Sequence, residues 1–464
     1  MTFVSLQFLV FFMVVTLWFF RLQNQRARVW LLLVASCYFY MSFIPVYILI
    51  LGGTIVVDYF AGIQIERSGG SARKMWLILS IIANIGALAI FKYYNFFIDN
   101  IHTGAHFFGR PLALPLLRMA LPIGLSFHTF QALSYTIEVY RKNQPAERDF
   151  VTYALYVMFY PQLVAGPIER PQNVLPQLKE FRAYNWDNVK EGLARMLWGF
   201  FKKAVIADRL AMAVERTFGH TSETSSAALL LGAMLYSFQI YCDFSGYSDI
   251  ALGAAKVMNI RLMENFRQPY LARNLGDFWT RWHISLSSWF RDYLYIPLGG
   301  NRRGAWRRRL NVVIVFLLSG LWHGANWTFI IWGMLHGLFV LALAGLGKEA
   351  LAPRRGLLSV LKISGNFLLV TFLWIFFRAE NLHAAFVYIR SIFSLRGGAN
   401  YISLNPAELA FAAVMIALMM VRECKRPGHF IVRDSLFWTY TIFMVVVCYY
   451  LGVFAENQFI YFQF

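Results

Sequence analysis

The stretch Leu318-Ser-Gly-Leu-Trp-His323-Gly-Ala-Asn-Trp-Thr328 lies within a run, Leu310 to Gly347, that contains no Asp, Glu, Lys or Arg. A segment that long and that apolar belongs in lipid. A histidine inside it is costly unless it performs chemistry or has a buried partner. Two readings of His323 follow: a general base, or a core histidine bonded to a backbone carbonyl between helices.

The same character extends outward along the chain. Of 464 residues, 58% are hydrophobic and 14% charged, with a mean hydropathy of +0.51. A soluble protein of this size cannot hide that much apolar surface, so the composition defines a polytopic membrane protein. Weakly charged runs recur at 1–20, 29–57, 75–91, 150–168, 224–242, 310–347, 363–377, 409–421 and 435–455. They lack two-residue alternation, which excludes a barrel. At ~20 residues per span, the expected fold is all-α, with about ten to twelve transmembrane helices in one integral domain, 1–464. The run at 29–57 should break near Pro45, and 310–347 should form two helices or one plus a re-entrant piece. Pro161, Pro167, Pro171 and Pro176 should force a re-entrant or interfacial loop at 161–178. Residues 259–309 are amphipathic, as expected at an interface or a polar cavity.

The net charge of +19 suggests a nucleic-acid partner only at first sight. Its basic residues form short clusters between apolar runs: Arg26/Arg28, Arg73/Lys74, Arg302/Arg303 with Arg307–Arg309, and Lys425/Arg426. That is the pattern of cytoplasmic loops against anionic lipid, so no nucleic-acid partner is expected. Four scattered cysteines carry no C-x-x-C pair, and His283, His323 and His336 show no H-x-x-x-H or H-E-x-x-H spacing among themselves, so no metal site is expected. From Arg309 to His323 is about 21 Å of helix at ~1.5 Å per residue, which places His323 near mid-membrane if the helix is continuous.

Other candidates surround it. Asn326 lies three residues beyond His323 and would share its helical face, where it could orient the ring. On an ideal helix His336 would not share that face. His283 follows Trp282 in a segment rich in Trp, Arg and Asp. Asp243 and Asp249 end an apolar run, and Arg261, Arg267, Arg273 and Arg281 are their candidate partners. An imidazole suits removal of a hydroxyl proton at neutral pH, and a membrane chamber would protect a thioester from water. A sugar transporter with intramembrane His and Asp is the alternative class, although no two related halves are visible.

Several motifs are specific: Lys92-Tyr-Tyr-Asn95, Leu121-Pro-Ile-Gly-Leu-Ser-Phe127, Val164-Ala-Gly-Pro-Ile168, Asp243-Phe-Ser-Gly-Tyr-Ser-Asp249, Glu264-Asn-Phe-Arg-Gln-Pro-Tyr270, Phe278-Trp-Thr-Arg-Trp-His-Ile-Ser-Leu-Ser287, Arg291-Asp-Tyr-Leu-Tyr295, Leu298-Gly-Gly-Asn301 and Leu321-Trp-His-Gly-Ala-Asn326. Through them the chain resembles the bacterial alginate O-acetyltransferase-like branch of the membrane-bound O-acyltransferase family, from near residue 1 to about 380 and more weakly through spans in 400–455. The resemblance implies that His323 is catalytic and His283 is the second active-site position, with Asn326, Trp322, Asp243 and Trp282 binding or orienting substrate. It implies a ring of tilted helices around a central funnel. It also implies an acetyl thioester donor, most plausibly acetyl-CoA, used as substrate with no bound cofactor. The location would be the bacterial inner membrane. The partners would be a periplasmic lipase-like protein and polysaccharide-export machinery, and the acceptor an exported polysaccharide such as alginate or cellulose.

Overall fold

The computed structural model describes all residues except 111, 113, 118–120, 165, 346–355, 396, 398–404, 426–429, 431–433, 455–458 and 461–464. Arg426 of the last basic cluster therefore lies outside the described residues. The rest is overwhelmingly helical, with no strand among the described residues. Among those residues, six helices have the length and composition to cross a membrane: Pro45–Arg67, Gly70–Phe107, Ser226–Val257, Trp327–Gly345, Leu357–Arg378 and Asp434–Leu451. Two shorter apolar helices, Leu6–Arg21 and Leu382–Phe393, add to these. Other expected spans are short, charged or interrupted, and reach neither threshold.

The chain divides into two compact units, 1–193 with 251–263, and 194–250 with 264–464. It passes between them twice inside helices, Trp186–Phe200 and Ser226–Val257, and once through the non-helical segment at 263–264.

The first unit contains α1 (Leu6–Arg21), α2 (Gln25–Met41), α3 (Ile48–Arg67), α4 (Gly70–Leu88), α5 (Tyr94–Phe107), α6 (Leu125–Tyr140), α7 (Phe150–Met158), α8 (Tyr160–Leu163), α9 (Pro171–Lys179) and the start of α10 (Trp186–Phe200). Its breaks have local causes. Pro45 opens a 3-10 turn ahead of α3, as expected. Ser5, Asn24 and Asp149 cap α1, α2 and α7 by accepting backbone N–H groups. The proline-rich segment differs from a simple loop: Pro171 starts α9 at the position where its missing N–H does no harm. Inside the unit, polar side chains pair across helices. Ser80 and Asn84 of α4 donate to Asp58 of α3 at 2.6 and 2.8 Å, and Thr54 meets His128 of α6 at 2.7 Å. With no water in the bilayer core, such groups must find partners in neighbouring helices.

The second unit holds the rest of α10, then α11 (Asp208–Gly219), most of α12 (Ser226–Val257), α13 (Leu275–Trp279), α14 (Ile284–Phe290), α15 (Gly304–His323), α16 (Trp327–Gly345), α17 (Leu357–Arg378), α18 (Leu382–Phe393), α19 (Pro406–Lys425) and α20 (Asp434–Leu451). Glycines allow its backbones to touch. A Cβ on Gly199 of α10 would lie 2.5 Å from the Gly246 carbonyl of α12, and one on Gly246 would lie 2.8 Å from the Gly199 carbonyl. Likewise, a Cβ on Gly320 of α15 would sit 2.2 Å from the Phe329 carbonyl of α16. Just beyond the Gly199 contact, a π-helical stretch, Phe201–Ala207, turns two consecutive lysines inward.

Replacing Gly199 by leucine should therefore force α10 and α12 apart. We expect a loss of about 1–3 kcal/mol or more, read as a lower thermal midpoint and reduced yield of monodisperse protein from membranes. An unchanged midpoint would mean that the helices have room to part.

Candidate active site

The run at 310–347 forms two helices, α15 and α16, divided at Gly324–Asn326. His323 is the last residue of α15. The helix is continuous back to Gly304, so the distance from Arg309 to His323 is as expected. The next residue must be glycine for a steric reason: a Cβ on Gly324 would lie 2.1 Å from the Phe329 ring.

His283 approaches from another element. It is the N-terminal flanking residue of α14, and its ring centroid lies 6.4 Å from that of His323, with the planes at 71°. Both rings are almost fully enclosed, at 0% and 3% exposure. Aromatic side chains form the enclosure. Trp322, Trp332 and Phe377 lie 5.0, 5.0 and 5.5 Å from His323, while Phe244 lies 4.7 Å from His283. Trp322 also stands 5.9 Å from His283, so it borders both rings. Trp282 packs one layer further out, against Phe266, Phe278 and Trp374, of which Trp374 stacks on Trp332 and Phe266 touches Phe244.

The protonation geometry of His323 can be derived. Its Nδ1 lies 2.6 Å from the Ser319 carbonyl one turn back. A carbonyl only accepts, so Nδ1 carries the proton and the basic nitrogen is Nε2. The backbone-carbonyl reading and the general-base reading are thus compatible: the carbonyl fixes the tautomer that a base requires. The ring also stands at the C-terminal end of a 20-residue helix, where the helix dipole favours positive charge developing on imidazole. His283 is different in character. Burial first, and the neighbouring His323 second, pull its basicity well below that of ordinary histidine. It is therefore neutral at physiological pH, suited to hydrogen bonding rather than to carrying charge.

Three expectations need correction. Asn326 does not share a helical face with His323, because α15 has already ended. Its Oδ1 accepts the Thr328 N–H at 3.0 Å, and its Nδ2 donates to the Glu380 carbonyl at 2.8 Å. It shapes the start of α16 instead of orienting the ring. His336 belongs to α16 rather than to a continuation of α15, so the helical-wheel argument does not apply. Its Nδ1 accepts from Trp279 Nε1 at 3.3 Å, and its ring packs 4.8 Å from Trp332. Asp243 pairs with Lys203 at 2.6 Å and accepts the Ile460 N–H at 2.9 Å. Lys203 also binds Asp208 at 2.8 Å, while Asp249 takes Lys202 at 2.5 Å and Arg195 at 2.8 Å. None of the four arginines proposed from the sequence is among these partners. Neighbours that the sequence did not single out include Phe377, Phe244 and the Ser319 carbonyl. Phe377 is distant in the chain, and a carbonyl carries no residue-type signal.

Two cavities adjoin this arrangement. One of about 180 Å³ is lined by Ser319, Phe316, Val315, Trp279 and Phe290. The other, about 760 Å³, is strongly charged and is walled by Asn265, Phe266, Arg267, Arg281, Arg422 and Ser245, among others. Ser319 bonds the His323 ring, and Asn265 bonds the two residues after His283. Each cavity thus reaches a direct neighbour of one histidine. Among the described residues, no group of three or more His, Cys, Asp or Glu is placed to hold a metal ion.

An enclosed histidine pair in a lipid-spanning chain, one ring with a basic nitrogen fixed by its tautomer, has the form of a base for acyl transfer within a membrane. Residues 74–378 match the membrane-bound O-acyltransferase family, and the chain belongs to it: it is a multi-pass membrane protein and an O-acyltransferase. It is 40% identical to the probable alginate O-acetylase AlgI of Pseudomonas aeruginosa over 91% of this chain and 82% of that protein. It is 34% identical to the peptidoglycan O-acetyltransferase of Helicobacter pylori over 94% and 91%. A teichoic acid D-alanyltransferase of Bacillus subtilis is 28% identical over 47% of this chain and 58% of that protein. Family membership assigns acyl transfer and leaves the transporter reading without support.

The ion pairs yield a comparative prediction. Lys203→Met leaves Asp243 and Asp208 without their shared lysine, whereas Lys202→Met leaves Asp249 still bound to Arg195. Removing one partner of a buried pair typically costs about 3–5 kcal/mol. We expect Lys203→Met to lower the thermal midpoint further than Lys202→Met. The reverse order would show that the Asp243 cluster is not the tighter of the two.

Proposed function

We propose that this enzyme moves an acetyl group from a cytoplasmic thioester donor to a hydroxyl of an exported polysaccharide. The observation that carries the reading is the tautomer of His323: with the Nδ1 proton committed to the Ser319 carbonyl, Nε2 is the basic atom in a nearly water-free enclosure. The acceptor O–H gives its proton to Nε2, and its oxygen bonds to the thioester carbonyl carbon. The C–S bond then breaks, and the leaving thiolate takes the proton back from the imidazolium. His283, neutral and 6.4 Å away by ring centroid, positions the thioester or assists the proton transfer. Burial of both rings slows competing hydrolysis. Substrates would reach them by displacing aromatic side chains of the enclosure.

Acetyl-CoA is the donor we favour. Arg267 and Arg422 in the wall of the 760 Å³ cavity would meet its anionic part, beside the carboxylates Asp249, Glu264, Asp277 and Glu423 that share that wall. The ring of tilted helices and the central funnel of the family architecture belong to the same reading, as does an inner-membrane location. Alginate and cellulose lead among acceptors, followed by peptidoglycan. The names of two relatives, the probable alginate O-acetylase and the peptidoglycan O-acetyltransferase, support the first and third of these. A periplasmic lipase-like protein and the polymer-export machinery complete the transfer in this scheme.

His323→Ala should abolish polymer acetylation at normal membrane abundance, and His283→Ala should lower it strongly. Purified protein given radiolabelled acetyl-CoA should consume the donor and retain or pass on the label. Undiminished acetylation by His323→Ala would remove the proposed base. Absence of donor consumption would remove acetyl-CoA as the donor.

A further inference from the structure

His283 occupies the left-handed region, at φ 44° and ψ 54°. That conformation is unfavourable for a non-glycine residue, so the surroundings must enforce it. We infer that Asn265 is the positioning residue for His283: it caps α14 from outside and thereby fixes the imidazole toward His323. This inference rests on the reading that His283 takes part in the reaction.

The backbone supplies the first argument. The Arg267 N–H donates to the Arg281 carbonyl at 2.9 Å, and the Ile284 N–H donates to the Asn265 carbonyl at 2.9 Å. These two bonds bracket one residue on the first strand of chain, Phe266, but two on the other, Trp282 and His283. One residue is therefore in excess, as in a bulge, and His283 takes it up by turning left-handed.

The side chain supplies the second. The first turn of a helix leaves N–H groups without intrahelical acceptors, and the flanking residue usually provides one. Here the flanking residue is His283, and it makes no such capping bond. Asn265 does so instead. Its Oδ1 accepts the Ser285 N–H at 3.3 Å and the Ser285 hydroxyl at 2.9 Å. The imidazole is thus relieved of capping and left to face the other histidine. Asn265 is 1% exposed, so solvent does not compete for these bonds.

Asn265 also borders the charged cavity, which places the clamp between that cavity and His283. A group entering there would press on the residue that sets the ring's place.

The test uses the full chain in its own membrane, with Asn265→Ala, Asn265→Asp and His283→Ala compared by rate of polymer acetylation per unit of inserted protein. Asn265→Ala should lose about 100-fold, the scale expected when a reacting group shifts by ~1 Å. Asn265→Asp retains an oxygen for both Ser285 contacts and should recover most of the rate. A helix that merely needed Asn265 for stability would show its loss in abundance and would not distinguish the two variants once rates are normalised. A wild-type rate in Asn265→Ala, or no recovery in Asn265→Asp, overturns the positioning role. If Asn265→Ala is lost from the membrane, the Asp variant decides alone: an active one supports the clamp and an inactive one overturns it. A dead His283→Ala beside a fully active Asn265→Ala removes only this inference. A fully active His283→Ala removes the underlying reading of His283.

Discussion

A charged or polar group carried into a lipid-facing helix must find its counterpart within the protein, because the surroundings offer none. The second unit is organised by this constraint. Lys202 and Lys203 are neighbours in sequence, both buried, and each is directed at a different carboxylate of α12. An ordinary helix would separate them by about 100°. The π-helical stretch and the glycine contact between α10 and α12 bring both ammonium groups close enough to pair. The ion pairs and the close backbone approach support each other: the glycine contact lets the lysines reach α12, and Lys203 supplies the cation that Asp243 is paired with.

The histidine site follows a related logic, with backbone groups in place of charges. His323 is held by a carbonyl of its own helix, at the end of that helix, and the chain turns away at once through a glycine that has no room for a side chain. His283 is held by its neighbours' hydrogen bonds rather than by its own backbone preference.

Much of this was legible in the sequence. Charge-free runs separated by basic clusters define a helical membrane protein, and both histidines stand in motifs that mark the family. The break near Pro45 and the division of 310–347 were readable because proline, glycine and run length act locally. Asn326 and His336 were misplaced for one reason: a wheel drawn across Gly324 assumes a helix that stops at His323. The partners of Asp243 and Asp249 were misassigned because the arginines were chosen by closeness in sequence and charge, whereas the lysines on α10 meet α12 only after folding.

The sequence by itself determined the solvent, the helical class and the candidate histidines, since hydropathy, charge spacing and short motifs are properties of residue order. Tertiary structure alone decided which nitrogen of His323 is basic, which side chains enclose it and what holds His283 in place. Those depend on a carbonyl one turn away, an aromatic ring on α17 and an amide that reaches Ser285 across a turn. Distances of a few ångströms set each of them, and residue order does not encode such distances locally.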